Sequence, residues 1–293
     1  MLNEGVGSWT ARRARKTPGA RAILHGGRTL SYAELDDRVS RLARALRGVG
    51  AGPGSRVAYL GPNHPAFLET MFGAWSAGAV FVPLNMRLAG PELAYQLADC
   101  GATLLVYAPE QAAVVAGIRG EAGRSAGLRH LIALARPGAG EHDYESLLAG
   151  PSPEPADVPV SLDDPSLIMY TSGTTGRPKG ATLTHGNITW NAINVVVDAD
   201  FRADEVALAV APLFHTAALN MLCLPTMLKG GAVLIEPAFD PARVLGLIAR
   251  YRVTSMFGVP AIYDAMAAAP GWAGADTSLS LIHISEPTRQ AEI

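Results

Sequence analysis

The chain has 293 residues, of which 49% are hydrophobic and 17% charged, and its formal net charge is −2 at pH 7. This balance is typical of a globular protein with a large core or two subdomains, and it gives no support to a nucleic-acid partner. The basic N-terminal residues are not followed by the apolar stretch of a secretory signal, and no apolar run is long enough to span a bilayer. The two cysteines lack the spacing of metal ligands. We therefore expect a cytoplasmic protein with reduced cysteines and no transmembrane segment.

The first half of the chain alternates between helical and strand patterns. Ser31 opens a capping box with Glu34, and apolar residues then recur at helical spacing, which predicts a helix ending before Gly50. The other elements predicted here are, in chain order, helix 8–16, a hairpin of strands 21–26 and 29–32, strand 56–60, helix 66–78, strand 79–84, helix 91–99, strand 103–107, helix 111–118 and strand 128–133.

Strand and helix alternation of this kind predicts an α/β fold, layered, with mainly parallel sheets covered by helices. Residues 138–160 interrupt the alternation with prolines and acidic side chains. We therefore expect a surface connection there, and a subdomain boundary near 138–160.

The most informative stretch runs from Tyr170 to Gly180 and reads Tyr-Thr-Ser-Gly-Thr-Thr-Gly-Arg-Pro-Lys-Gly. Its three glycines, Gly180 among them, allow backbone N–H groups to approach an anion closely, and its hydroxyls can donate to phosphate oxygens. Lys179 adds a mobile positive charge suited to a leaving pyrophosphate. The composition predicts a loop that binds phosphate.

Two familiar nucleotide motifs do not fit this stretch. A Walker loop needs Gly-Lys-Ser/Thr opening a helix, whereas here Lys179 precedes Gly180 and a strand-like run. The dinucleotide fingerprint Gly-x-Gly-x-x-Gly is absent as well. A surface loop rich in serine, threonine and glycine without function is the alternative.

The stretch resembles the phosphate-loop signature of the adenylate-forming superfamily, which includes acyl-CoA synthetases, adenylation domains of peptide synthetases and luciferases. The resemblance implies the large N-terminal domain of such an enzyme, truncated, with ATP, Mg²⁺ and coenzyme A as cofactors. The residues it assigns to nucleotide binding are Thr171, Ser172, Gly173, Thr174, Thr175, Gly176 and Lys179, with Lys179 also catalytic.

The second half of the chain continues the alternation. The elements predicted there are strand 181–185, helix 187–197, strand 205–211, helix 219–228, strand 232–236, helix 241–251 and strand 253–257.

Between two of these elements lies Pro212-Leu213-Phe214-His215-Thr216, which resembles a second motif of the superfamily. The resemblance implies that Phe214 and His215 line the entrance for the carboxylate substrate, with His215 in a catalytic role, and that Tyr263 lies along the acyl pocket. A packed histidine and a core tyrosine are the alternatives. Amino-acid-activating relatives carry an aspartate in this region, so a fatty acid or another carboxylic acid fits better.

The last residues, 279–293, do not continue the pattern and resemble the translation of a sequencing adapter. We expect residues 1–278 to form part of an adenylation domain and residues 279–293 to be non-native. The intact enzyme is then expected to convert a carboxylic acid, with a fatty acid favoured, together with ATP and coenzyme A into an acyl-CoA, and we expect little activity in this fragment. A domain that loads a carrier protein and a non-catalytic nucleotide-binding module are the alternatives.

Overall fold

The computed structural model describes residues 2–119, 127–156, 158–171 and 177–278, and the backbone of residues 282–284. The chain divides into two compact units, the first formed by residues 1–19 and 32–190 and the second by residues 20–31 and 191–293. Among the described residues, no helix combines the length and the apolar character needed to cross a bilayer.

The first unit contains a seven-stranded sheet in the order β7-β6-β5-β3-β4-β8-β9. All its pairs are parallel except β8 with β9. The elements of this unit are α1 (Trp9–Lys16), α2 (Tyr32–Gly48), β3 (Arg56–Leu60), α3 (Pro65–Ser76), β4 (Val80–Leu84), α4 (Gly90–Cys100), β5 (Leu104–Tyr107), α5 (Ala112–Gly117), β6 (His130–Ala133), β7 (His142–Asp143), α6 (Tyr144–Ala149), β8 (Pro165–Thr171) and β9 (Lys179–Thr184), with α7 (His185–Asp198) continuing into the second unit.

The central strands of this sheet are continuous apolar runs rather than alternating ones. Every residue of β4 and β5 is buried, and so are four of the five residues of β3. Strands covered by helices on both faces need apolar side chains on both faces, which explains the pattern. The layered α/β architecture with mainly parallel sheets is confirmed.

The second unit contains a six-stranded sheet in the order β13-β12-β10-β11-β1-β2. The predicted hairpin is present as its antiparallel pair β1–β2, and β1 also pairs in parallel with β11. The elements of this unit are β1 (Arg21–His25), β2 (Arg28–Ser31), β10 (Val206–Ala209), a π-helix (Ala217–Cys223), α8 (Leu224–Lys229), β11 (Ala232–Ile235), α9 (Pro241–Tyr251), β12 (Ser255–Phe257), α10 (Pro260–Ala267) and β13 (Ile282–Ile284).

The predicted helix 219–228 differs from the structure, because its first part belongs to a π-helix that begins at Ala217 and only its second part is α8. The short elements β7 and α6 lie in residues 138–160, where the sequence predicted only a connection. Asp143 begins α6 by accepting a hydrogen bond from the Ser146 N–H group at 2.8 Å.

Among the described residues, 138–156 and 158–160 belong to the first unit, and a subdomain boundary near 138–160 stays a prediction. A row of arginines on α2 binds this segment. Arg41 donates to the Pro151 carbonyl at 2.7 Å, Arg44 to the Glu154 carbonyl at 2.7 Å, and Arg47 to the Ala156 carbonyl at 3.3 Å. The proline-rich segment is therefore bound along α2 instead of forming a linker.

The backbone of the tail predicted to be non-native contains β13, which pairs in parallel with β12. Strand pairing uses backbone groups that any segment of sufficient β propensity can supply. The origin of residues 279–293 therefore stays a prediction.

Candidate functional site

The predicted phosphate loop connects the two antiparallel strands β8 and β9 in the first unit. Tyr170 pairs with Gly180, and Thr171 pairs with Lys179, so both ends of the loop are held in one ladder. The middle of the predicted site lies outside the described residues, namely Ser172, Gly173, Thr174, Thr175 and Gly176.

The two described members of the predicted nucleotide site, Thr171 and Lys179, are exposed and lie next to each other at the end of the ladder. In the part of the chain that the structure describes, no carboxylate forms an ion pair with the Lys179 ammonium group. A hydroxyl and an ammonium group at one point of a hairpin can together bind an anion such as a phosphate.

The backbone conformation of Gly180 is not the one expected of a glycine that turns an N–H group toward an anion. It lies within β9, and its φ is not positive. A Cβ atom at this position would lie 2.8 Å from Ile168 Cγ2 and 3.4 Å from Tyr170 Cζ. Gly180 is therefore required by the packing of two β8 side chains.

Helix α4 contacts both ends of the loop, which the sequence did not predict. Tyr170 Oη lies 2.7 Å from Asp99 Oδ2 and 2.9 Å from the Gln96 carbonyl oxygen. Tyr95 Oη donates to the Pro178 carbonyl at 3.3 Å. Burial, followed by the contact with Asp99, raises the pKa of Tyr170 well above its usual value, so its hydroxyl stays a donor.

The predicted substrate entrance lies in the second unit, in the turn between β10 and the π-helix. The Phe214 and His215 rings are 4.6 Å apart at a tilt of 52°. The backbone N–H group of His215 donates to the Pro212 carbonyl at 3.1 Å, which closes the turn. His215 is exposed while Phe214 is half-buried, so the turn presents a polar ring beside an apolar one.

The π-helix that follows this turn was missed by the sequence analysis. Within it Asn220 is buried, and its amide donates to Thr216 Oγ1 at 2.7 Å. Asn220 Oδ1 is also buried, and it has no hydrogen-bond partner among the described residues. π-Helices frequently occur at functional sites, and a buried acceptor without a partner costs free energy.

Tyr263 lies on α10 and is half-buried against the apolar core of the second unit. Its hydroxyl donates to the Met256 carbonyl at 3.3 Å, and burial raises its pKa to about 12. Its ring also lines a cavity of about 180 Å³ with Ile248, Met266 and Trp272. Both roles considered for Tyr263, core residue and pocket residue, are compatible with this position.

The structure thus brings Thr171 and Lys179 together in the first unit, and Phe214 and His215 together in the second. Within the described ranges, no group of three or more His, Cys, Asp or Glu side chains is arranged to hold a metal ion. The use of Mg²⁺ stays a prediction.

Comparisons with known proteins cover most of the chain and agree on one family. The sequence model of the family described as AMP-binding enzyme matches residues 10–287. A feruloyl-CoA synthase of Amycolatopsis sp. is 56% identical over 278 residues, which are 95% of this chain and 53% of that protein. An indoleacetate–CoA ligase of Aromatoleum aromaticum is 40% identical over 274 residues, which are 93% of this chain and 53% of that protein.

Among solved structures, the inhibitor-bound N-terminal domain of FACL13 from Mycobacterium tuberculosis superposes with a TM-score of 0.88 at 31% identity. The match covers 98% of this chain and 71% of that one. The chain spans about half the length of the curated relatives it matches.

Proposed function

Because this chain belongs to the AMP-binding, adenylate-forming enzyme family, we propose that the intact protein activates a carboxylic acid with ATP and transfers the acyl group to coenzyme A. The observation that carries the proposal is the hairpin β8–β9, which holds Thr171 beside Lys179 at the two ends of a loop suited to phosphate. The identity to two CoA ligases over more than nine-tenths of the chain supports it.

In the proposed reaction a carboxylate oxygen of the acid attacks the α-phosphorus of ATP, and the bond to the pyrophosphate group breaks. The Lys179 ammonium group and the loop hydroxyls stabilise the negative charge that grows on the departing pyrophosphate. The thiol of coenzyme A then attacks the acyl carbonyl and AMP leaves, which yields the thioester. Mg²⁺ bound with ATP would neutralise phosphate charge.

We propose an aromatic acid of the ferulate type as the substrate, in place of the fatty acid favoured by the sequence. The relatives at 56% and 40% identity are named for feruloyl and indoleacetate substrates, and both acids carry an aromatic ring. The half-buried Phe214 ring beside the π-helix suits an aromatic partner, since ring pairs attract beyond their area burial.

Asn220 adds a polar feature that suits a hydroxylated ring. Its Oδ1 atom is buried without a described partner, and its amide bonds to Thr216, the residue after His215. A phenolic hydroxyl of the substrate would satisfy this acceptor, whereas a plain fatty chain has no donor to offer.

The proposal is tested with the product of the complete gene by measuring carboxylate-dependent ATP–pyrophosphate exchange. Ferulate, indoleacetate, palmitate and phenylalanine are compared as acids. We expect ferulate to support exchange best, and Lys179→Ala to reduce it by about tenfold or more. Lys229→Ala, which removes a lysine from the end of α8, is the control and should leave the rate unchanged.

The two parts of the proposal fail separately in this assay. Absence of exchange with every acid would contradict adenylation itself. Exchange that is faster with palmitate than with ferulate would leave adenylation standing and overturn the aromatic substrate.

A further inference from the structure

We propose that helix α4 positions the two ends of the candidate phosphate loop, at Thr171 and Lys179, through Tyr95, Gln96 and Asp99, which we call the α4 brace. The inference rests on the proposed function, because it assigns the brace a role in ATP binding. None of the three residues lies in the Tyr170–Gly180 stretch, and none is assigned to the nucleotide by its sequence pattern.

The first contact of the brace fixes the strand that leads into the loop. The Tyr170 hydroxyl lies 2.7 Å from the Asp99 carboxylate and 2.9 Å from the Gln96 carbonyl, and its single proton is shared between these two acceptors. A hydrogen bond to a carboxylate is stronger than one between neutral groups. The last turn of α4 therefore holds the residue that precedes Thr171.

The second contact fixes the strand that leaves the loop. Tyr95 Oη donates to the Pro178 carbonyl at 3.3 Å, and the Arg177 guanidinium lies over the Tyr95 ring at 5.7 Å from its centroid. Pro178 directly precedes Lys179, so the hydrogen bond acts one residue away from the ammonium group. The ring contact is a cation–π interaction that holds the Arg177 side chain against α4.

Tyr95 and Asp99 can act together because they are four residues apart in one helix and lie on the same face. The opposite side of α4 is anchored in the core of the first unit through Leu93, Ala94 and Leu97, all buried. Arg56 also donates to the Cys100 carbonyl at the end of the helix, at 2.6 Å. The brace is thus anchored in the packed core of the first unit, and both ends of the loop are attached to it.

Attachment at Tyr170 and Pro178 places Thr171 and Lys179 before phosphate binds, so less free energy is spent on positioning these two residues during binding. Removing the brace leaves Thr171 and Lys179 chemically unchanged, but positioning them on ATP then costs more free energy. The expected effect is therefore on the KM for ATP, and the KM for the carboxylic acid should not change.

The first experiment measures exchange kinetics of the complete enzyme and of its variants Tyr95→Leu and Tyr170→Phe. We expect the KM for ATP to rise about three- to tenfold in each, as loss of one or two hydrogen bonds implies, with the KM for ferulate unchanged. Tyr95→Phe keeps the ring under Arg177 and should give a smaller rise than Tyr95→Leu.

Tyr107→Phe is the matched control. It removes a phenolic hydroxyl that donates to Glu141 at 2.5 Å, from β5 of the same sheet and away from the loop. We expect it to lower stability without changing the KM for ATP. Equal rises in Tyr107→Phe and in the brace variants would overturn the inference, because the effect would then be general destabilisation.

The second experiment needs no activity and uses the 293-residue chain. Trypsin cleaves after Lys179 only when the end of the β8–β9 ladder opens, so the cleavage rate reports the local opening. We expect cleavage after Lys179 to be about three- to tenfold faster in Tyr95→Leu and Tyr170→Phe than in the wild type, with cleavage after Arg250 unchanged. Unchanged cleavage after Lys179 would overturn the inference.

The two experiments separate the inference from the function on which it rests. If the wild-type enzyme shows no exchange, the proposed function fails, while the trypsin rates still decide whether α4 holds the loop. If exchange is present and neither the KM for ATP nor the cleavage rate responds, the brace fails and the proposed function stands.

Discussion

Tyr170 and Gly180 face each other across the antiparallel strands β8 and β9, and a Cβ atom at position 180 would lie 3.4 Å from the Tyr170 ring. This contact links the candidate phosphate loop to α4, because the same tyrosine hydroxyl reaches Asp99. A glycine in the predicted loop motif thus serves the packing of the hairpin.

Gly180→Ala is therefore expected to destabilise the first unit. The new methyl group would lie 2.8 Å from Ile168 Cγ2, which forces one strand to shift. Overpacking of this kind costs about 1–3 kcal/mol, measured as a lower free energy of unfolding in urea. Gly246→Ala in α9 is the control, because a methyl group there meets nothing within 4 Å and should stabilise the helix slightly. A neutral Gly180→Ala would show that the Ile168 side chain moves aside freely.

A buried ion pair in the first unit leads to a second stability prediction. Glu69 is only 1% exposed, and its carboxylate accepts hydrogen bonds from Arg38 at 2.7 and 3.0 Å and from the Tyr144 hydroxyl at 2.8 Å. Arg38→Met would leave the carboxylate buried without its cation. We expect a loss of about 3–5 kcal/mol in the free energy of unfolding.

Arg202→Met is the control for that prediction, since Arg202 pairs with Asp204 on the surface and both side chains are more than 70% exposed. Exposed pairs contribute about 0–1 kcal/mol. If the two variants lose similar free energy, the Glu69 carboxylate must be satisfied without Arg38.

Much of the fold could be predicted from local sequence patterns. The capping box and the amphipathic period predicted α2, and the bounds predicted for α9, 241–251, agree with the structure. Continuous apolar runs likewise identified the strands β3, β4 and β5. These elements are specified by residues within one segment.

The features that were missed depend on partners far away in the chain. α6 lies within a stretch predicted to be a connection, and its Tyr144 is fixed by Glu69, 75 residues earlier. Pro178 is bonded to Tyr95 across 83 residues, which no local pattern indicates. The π-helix requires hydrogen bonds of a register that sequence periodicity does not distinguish from an α-helix.

His185, at the start of α7, predicts a pH dependence of stability. Its side chain is buried, Nδ1 accepts the Val6 N–H group at 3.2 Å, and the ring packs edge-on against Trp75 at 5.9 Å. Burial lowers the pKa of His185 to about 4, and the nearby Asp164 carboxylate opposes this only partly. The folded state therefore favours the neutral imidazole.

The unfolded chain binds a proton at the ordinary histidine pKa of about 6.5, whereas the folded chain resists protonation until about pH 4. The stability contributed by His185 is thus complete above about pH 6.5 and is lost as the pH falls toward 4. It amounts to the order of 3 kcal/mol. Urea unfolding between pH 7.5 and 4 measures this loss.

His185→Asn is the control for the pH prediction, because asparagine keeps an acceptor for the Val6 N–H group but does not titrate in this range. We expect its free energy of unfolding to fall less steeply with decreasing pH than that of the wild type. Parallel pH profiles would mean that other groups cause the whole acid dependence.

Asn220 gives the most direct prediction about substrate choice. In the proposed function its buried Oδ1 atom, which lacks a partner among the described residues, accepts the ring hydroxyl of ferulate. Asn220→Leu removes the acceptor, so the ratio of kcat/KM for ferulate to that for 3-methoxycinnamate, which lacks only the hydroxyl, should fall about tenfold. The kcat/KM for 3-methoxycinnamate should change little.

Asn191→Leu is the matched control, because it removes the side-chain amide that donates to the backbone carbonyl of Asn220 at 2.8 Å and leaves Asn220 Oδ1 in place. If both variants change the ratio equally, the effect comes from the packing of the π-helix and Asn220 does not read the hydroxyl.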